Sequence, residues 1–319
     1  MEVFPIIVPT RSSLKSFNFY IMKDEGSLSL IDAGVNSSKC WDYLNEALHH
    51  HGFSLEDLDQ IIITHNHEDH VGLVDRIVSS RNIPVYVPEK AICRLKRDRD
   101  FFEMRMEFFN KLYKEMGCGV EGDVQIKKLG AAMASHEEKR LKSDVIPIGK
   151  QTFTSLEPLE TPGHSPDHMI YYDHGQKVIF GGDLLLNHIS SNALVEPDES
   201  GNRIKTVLEH EQSLKKCASI HANVLYPGHG DIIYDHRMLV EKRLRGISRK
   251  ASKIESELEQ EPRTASDIAL TFYKDRYYEQ FSLVMSEIIG HLDYLEANGK
   301  VTKELSGGVW VYRKLRTQQ

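Results

Sequence analysis

Short apolar runs alternate with stretches of helical period through the first 230 residues. The runs at 17–22 and 28–31 read as two strands joined by the polar turn Lys23-Asp-Glu-Gly26. Ser37 or Ser38 then caps a helix whose apolar positions Trp41, Leu44 and Leu48 recur at helical spacing, and Gly52 ends it. Ile61-Ile-Ile63 reads as a buried strand, residues 71–80 as a helix and 85–87 as a strand. From about residue 88 to 143 charged residues alternate with Phe101, Phe102, Phe108, Phe109, Leu112 and Tyr113, which predicts helices inserted into the first domain. Strand-like runs resume at Phe153, 169–172 and 178–180, and another precedes Tyr226-Pro-Gly-His-Gly230. A long charged helix over roughly 238–259 leads to Glu261-Pro-Arg-Thr264. Beyond it lie helices near 265–272 and 282–297, then a hairpin turned at Ser306-Gly-Gly308, the order of a small winged-helix module.

The pattern predicts an α/β chain of two parts: 1–237 carrying the chemistry, and 238–319 as a linker helix with the winged helix. The 319 residues are 40% hydrophobic and 27% charged, with no apolar run of membrane-spanning length and no basic, apolar leader at Met1. A cytoplasmic protein without membrane contact is the expectation. Cys40, Cys93, Cys118 and Cys217 are scattered, which argues against a disulfide scaffold or zinc ribbon. A net charge of −7 does not suit a general nucleic-acid binder. The 16 histidines change the picture, because three of them fall between residues 65 and 70.

His65-Asn-His67-Glu-Asp69-His70 follows the buried strand and so sits on a loop at its end. Alternate residues on extended backbone project alike, so His65 and His67 can grip one ion while Asp69 and His70 face a second. Imidazole and carboxylate suit zinc, and also manganese or ferrous iron. Two sites need more ligands than these four. Thr161-Pro-Gly-His164, Gly181-Gly-Asp183 and Tyr226-Pro-Gly-His229 each put one ligand type beside glycine, where tight backbone is possible.

This ordered set resembles the metallo-β-lactamase superfamily, and Asn18 and Ile31-Asp-Ala-Gly34 resemble its opening strands. Within it the chain looks most like the glyoxalase II-like group, in the branch of β-lactamase-like protein 2, whose members append a winged helix. The resemblance implies a four-layer αββα sandwich with metals at one edge of the sheets. It implies that His65, His67 and His164 hold one ion, that Asp69, His70 and His229 hold the other, and that Asp183 bridges them. Two divalent metal ions are expected, zinc first and manganese or iron as alternatives. Asp69 is expected to orient the attacking water as catalytic residue, and Asp32 to hydrogen-bond a metal histidine. An ion pair of this kind lowers the pKa of a shared water from about 15.7 toward about 7. The implied function is a hydrolase of a small ester, thioester or lactone. Alternatives are cleavage of single-stranded RNA and, on one iron held by His65, His164 and Asp183, persulfide oxygenation.

Other features read more plainly. His49-His-His51 suits a solvated helix end, and His168 and His188 read as structural histidines. Residues 240–319 hold 14 Lys and Arg against 12 Asp and Glu, with Lys300, Lys303, Arg313, Lys314 and Arg316 near the end. RNA is therefore kept as an alternative partner to the small-molecule substrate. The helix at 282–297 carries Glu287, Asp293 and Glu296 and no Lys or Arg, which favours docking or a homodimer over DNA reading.

Overall fold

The computed structural model describes residues 1–134, 136–149 and 155–315. The strand expected at Phe153 and the charge of Arg316 lie outside them. The chain divides into two units that are discontinuous in sequence. The first comprises 1–97, 140–191 and 213–240, and the second 98–139, 192–212 and 241–319.

The first unit is a mixed α/β sandwich built on two sheets. Six strands pair in sequence order: β1 (Glu2–Pro9), β2 (Ser16–Asp24), β3 (Ser27–Ile31), β4 (Gln60–Ile62), β5 (Val85–Pro88) and β6 (Ile146–Ile148). The first three run antiparallel and the last four parallel. The second sheet has the order β10-β9-β8-β7, from β7 (Leu156–Glu160), β8 (Met169–Asp173), β9 (Val178–Gly182) and β10 (Val224–Pro227).

The period of two along each strand sorts side chains between two cores. Phe19, Ile21, Leu30, Ile61, Ile63, Val85 and Val87 face a core shared with Leu44 and Leu48 of helix Ser38–His50 and Val74 and Ile77 of helix Val74–Ser80. Tyr20, Met22, Ile31 and Ile62 face the other way and pack with Leu156, Tyr171 and Phe180 of the second sheet. On that sheet's margin, Ser213 Oγ and Lys216 Nζ donate to the carbonyls of Pro162 and Glu160. Ser37 accepts from the Cys40 amide at 3.1 Å, which fixes the cap. The helix expected over 71–80 is instead two, Glu68–Val71 and Val74–Ser80. The sequence pattern does not reveal strand β1, because Pro5 and Pro9 interrupt it, which suits an edge strand.

The second unit draws its core from distant segments. Phe109, Leu112, Tyr113 and Met116, on or just after helix Arg99–Glu115, cluster with Ile254, Ile268, Met285, Ile288, Ile289 and Tyr312. Of the 88–143 region expected as an insert of the first domain, 98–139 groups with the second unit. Its apolar stripe is buried with C-terminal residues, so the boundary in space does not follow 237/238. Helix His236–Glu257 is followed by β11 (Arg263–Thr264), helices Ala265–Tyr273, Asp275–Glu279 and Phe281–Ala297, then β12 (Val301–Ser306) and β13 (Val309–Lys314). These strands form a sheet of order β11-β13-β12. No helix among the described residues is long and apolar enough to cross a membrane.

Candidate metal centre

Loops at strand ends bring all seven expected ligands together in the first unit. The loop after β4 supplies His65 and His67, and helix Glu68–Val71 supplies Asp69 and His70. His164 precedes β8, Asp183 follows β9 and His229 follows β10.

His67 Nδ1 lies 3.0 Å from His65 Nε2 and 3.0 Å from His164 Nε2, so three nitrogens converge. Asp69, His70 and His229 form a second convergent group, with His229 Nε2 at 3.3 Å from Asp69 Oδ2. Asp183 stands between the two. Its Oδ2 is 3.5 Å from His164 Nε2 and 3.3 Å from His229 Nε2, and its Oδ1 is 3.4 Å from His70 Nε2. Gly228 makes room for this arrangement: a Cβ there would lie 2.4 Å from Asp183 Oδ1. Gly182 takes φ +46° with His168 and Thr64 packed against it.

Outer partners fix the rings. Asp32 Oδ2 lies 2.7 Å from His70 Nδ1 and also accepts from Thr64 Oγ1 at 2.8 Å. Thr64 Oγ1 is in turn 3.1 Å from His65 Nδ1, so one buried carboxylate serves a histidine of each group. Asp32 holds φ +58°, an uncommon conformation for a non-glycine residue. His229 Nδ1 faces the Ser16 carbonyl at 2.8 Å, and His164 Nδ1 faces Ser191 Oγ at 3.0 Å. His168 accepts the Asp183 amide on Nε2 at 3.0 Å and meets Thr161 Oγ1 through Nδ1 at 2.8 Å. Buried Asp167 accepts the Asn66 amide at 2.7 Å, inside the histidine loop. Sequence reasoning missed Ser16, Thr64, Asp167 and Ser191 as supports. Thr64 had a local signal in preceding His65, whereas Ser191 had none.

Burial and charge oppose each other here. Burial pushes His70 and His229 toward neutrality, but Asp32 and Asp183 overrule it for His70, and Asp183 and Asp69 raise His229 to about 9. Asp183, despite burial, is held below the usual carboxylate range by His70 and His229, and Asp69 chiefly by the close approach of His229. His65 is pushed down by burial and by its histidine neighbours. His70 Nε2, His229 Nε2 and Asp183 Oδ1 are buried without a hydrogen-bond partner among the described residues. Such orphaned atoms are costly unless something binds them. Imidazole nitrogens and carboxylate oxygens so placed fit divalent metal ions.

Known proteins resemble this chain over most of its length. Residues 17–229 match the Metallo-beta-lactamase superfamily. The chain is 29% identical over 317 residues to the probable metallo-hydrolase YqjP of Bacillus subtilis, covering 99% of this chain and 98% of that one. It is 23% identical to the Beta-lactamase-like protein 2 homolog of Drosophila melanogaster, over 96% of this chain and 91% of the relative. The atrochrysone carboxyl ACP thioesterase of Aspergillus fumigatus is 24% identical, over 81% of this chain and 66% of its own. In fold, a metallo-beta-lactamase family protein from Thermus thermophilus superposes with a TM-score of 0.78 at 23% identity, covering 98% of both chains.

Proposed function

The chain belongs to the metallo-β-lactamase superfamily, and from that premise we propose that it is a dinuclear metal hydrolase acting on a small ester, thioester or lactone. The observation that carries the reading is Asp183, whose oxygens lie within 3.5 Å of His164, His70 and His229 and so reach both ligand groups. His65, His67 and His164 would hold one ion, Asp69, His70 and His229 the other, and Asp183 both. Zinc is the first expectation, with manganese or iron as alternatives. Bound there, the ions would supply Lewis acidity and a water ionisable near neutral pH.

The chain's own groups do the rest. The Asp69 side chain is 22% exposed, more than those of His70, Asp183 and His229, so it can accept a hydrogen bond from the attacking water and aim it. Asp32 and Ser16 hold the proton-bearing edges of His70 and His229 away from the site, which fixes their metal-facing nitrogens.

The similarity to a thioesterase supports the acyl substrate class. The basic C-terminal tail gives little support to RNA cleavage, because Lys303, Arg313 and Lys314, three of its five cations, are matched within the unit. Lys303 pairs with Glu296 at 2.8 Å, Arg313 with Glu304, and Lys314 with Glu255 and Glu259. A strand, three helices and a two-stranded hairpin follow the long helix in order over 263–314, which supports reading that region as a winged-helix module.

Metal content of protein purified without added metal, followed by turnover of an ester, thioester and lactone panel, tests this function. Two divalent ions per chain with acyl turnover are expected. One iron per chain with oxygen consumption on persulfides would overturn it.

A further inference from the structure

The second unit contains a cleft of about 570 Å³, within the range of small-molecule sites, that the metal chemistry does not use. Met104, Phe108 and Leu112 line one wall. They recur every four residues on helix Arg99–Glu115 and so present one continuous apolar stripe. Trp310, on β13, is half-buried in the same cleft, and Lys303 lies 5.2 Å from its ring centroid.

The third wall is the turn leading to Arg203 and Lys205. Asp198 Oδ1 accepts the amides of Ser200 and Asn202 at 2.8 Å each, which makes the turn stiff. Arg203 is fixed from behind by Asp293 at 2.8 Å, just as Lys303 is fixed by Glu296. Lys205 and Lys111 stand exposed at the rim. No ion pair to Lys205 occurs among the described residues, and Lys111 comes no closer than 3.9 Å to Glu115.

The acidic groups are placed differently. Glu115 accepts from the Trp310 indole at 3.4 Å, beside the aromatic wall, and Glu107 lies one helical turn before Lys111. The cleft therefore offers an aromatic and apolar surface, carboxylates next to it that accept hydrogen bonds, and exposed cations at the rim. A flat heteroaromatic ring with amino donors and an attached anion satisfies all three. An acyl chain would leave the cations idle, and a bare phosphate would leave the aromatic wall idle.

We propose that this cleft binds a nucleotide, with an aminopurine base between Phe108 and Trp310 and phosphate at Lys205 and Lys111. Such stacking contributes about 1–3 kcal/mol per base. The site shares no residue with the metal centre, and its occupancy does not depend on hydrolysis.

The test uses the full-length protein with Trp41→Phe, which leaves Trp310 as the sole tryptophan. Titration with AMP should change Trp310 emission. Adenosine should bind about 10-fold more weakly or worse, a difference equal to about 1.4 kcal/mol. Lys205→Glu should weaken AMP by a similar factor while near-UV circular dichroism stays unchanged, and affinity should fall as salt rises. Equal affinity for AMP and a five-residue oligoadenylate would identify a free nucleotide or nucleotide tail as the source. Much tighter oligoadenylate binding would identify a strand. No emission change at about 1 mM AMP, or binding indifferent to both Lys205→Glu and salt, would overturn the proposal. Repeating the titration after metal removal separates this outcome from any failure of the hydrolase reading.

Discussion

Each unit buries a cluster of charge, and the two clusters differ in how many atoms they leave open and whether those atoms face one another. In the second unit Asp293 is fully buried, and Arg203 meets it at 2.8 Å. Asp293 Oδ1 is thus answered by a cation from within the chain, whereas Oδ2 has no hydrogen-bond partner among the described residues. In the first unit, Asp183, His70 and His229 turn atoms toward one another that no hydrogen bond satisfies. Behind the rings Asp32 and Ser16 are within hydrogen-bond distance, yet the facing edges are left open. A single open oxygen beside one cation marks a lone ion pair, whereas several imidazole and carboxylate atoms left open toward one another have the donor chemistry that suits a divalent ion.

The largest effect expected from this contrast is at Asp183. Asp183→Ala should lower hydrolysis by more than the roughly 100-fold typical of losing an outer partner, because it removes the shared ligand. Metal analysis should find fewer than two ions per chain. Retention of both would erase the distinction drawn between the clusters.

Arg203→Ala should do the reverse. It strands a buried carboxylate, so urea unfolding should show a loss of about 3–5 kcal/mol, while metal stoichiometry stays at two.

A smaller signature lies in pH. Burial, outweighing Arg203, raises Asp293 to about 6, above its value in an unfolded chain. The folded state therefore favours the protonated form. This group's contribution is most favourable below about pH 4, weakens as pH rises through about 6 and then levels, a change of up to about 3 kcal/mol. Unfolding free energies measured across that window should fall in the parent protein and lie flatter in Asp293→Asn.

The smallest effect tests an outer support of the open cluster. Ser191→Ala should weaken one of the two ions by about 10-fold in chelator competition, with Ser191→Thr restoring it. Equal retention of both ions in the alanine variant would mean that Ser191 does not position His164.

Much of this was legible from residues alone. The helix read around Trp41, Leu44 and Leu48 is Ser38–His50, and the two helices read near 265–272 and 282–297 are Ala265–Tyr273 and Phe281–Ala297. Caps, glycine stops and helical spacing are local, so sequence carries them. Strand β1 and the split after Val71 escaped. An edge strand with two prolines lacks clean alternation. At the split, a Cβ on Gly72 would lie within 2.6 Å of the backbone of Val35 and Asn36, a close approach no local pattern announces.

By itself the sequence determined the kinds of candidate ligand and the loops that bear them, because His65 through His70, His164, Asp183 and His229 each sit beside a strand end or a glycine. Only the tertiary structure decided that Ser191 and Ser16 stand behind His164 and His229, and that Asp32 serves both ligand groups through Thr64. It also decided that residues 98–139 share a core with the C-terminal strands. Spacing constrains neighbours along the chain, whereas these pairings join residues that only packing brings within hydrogen-bond or van der Waals reach.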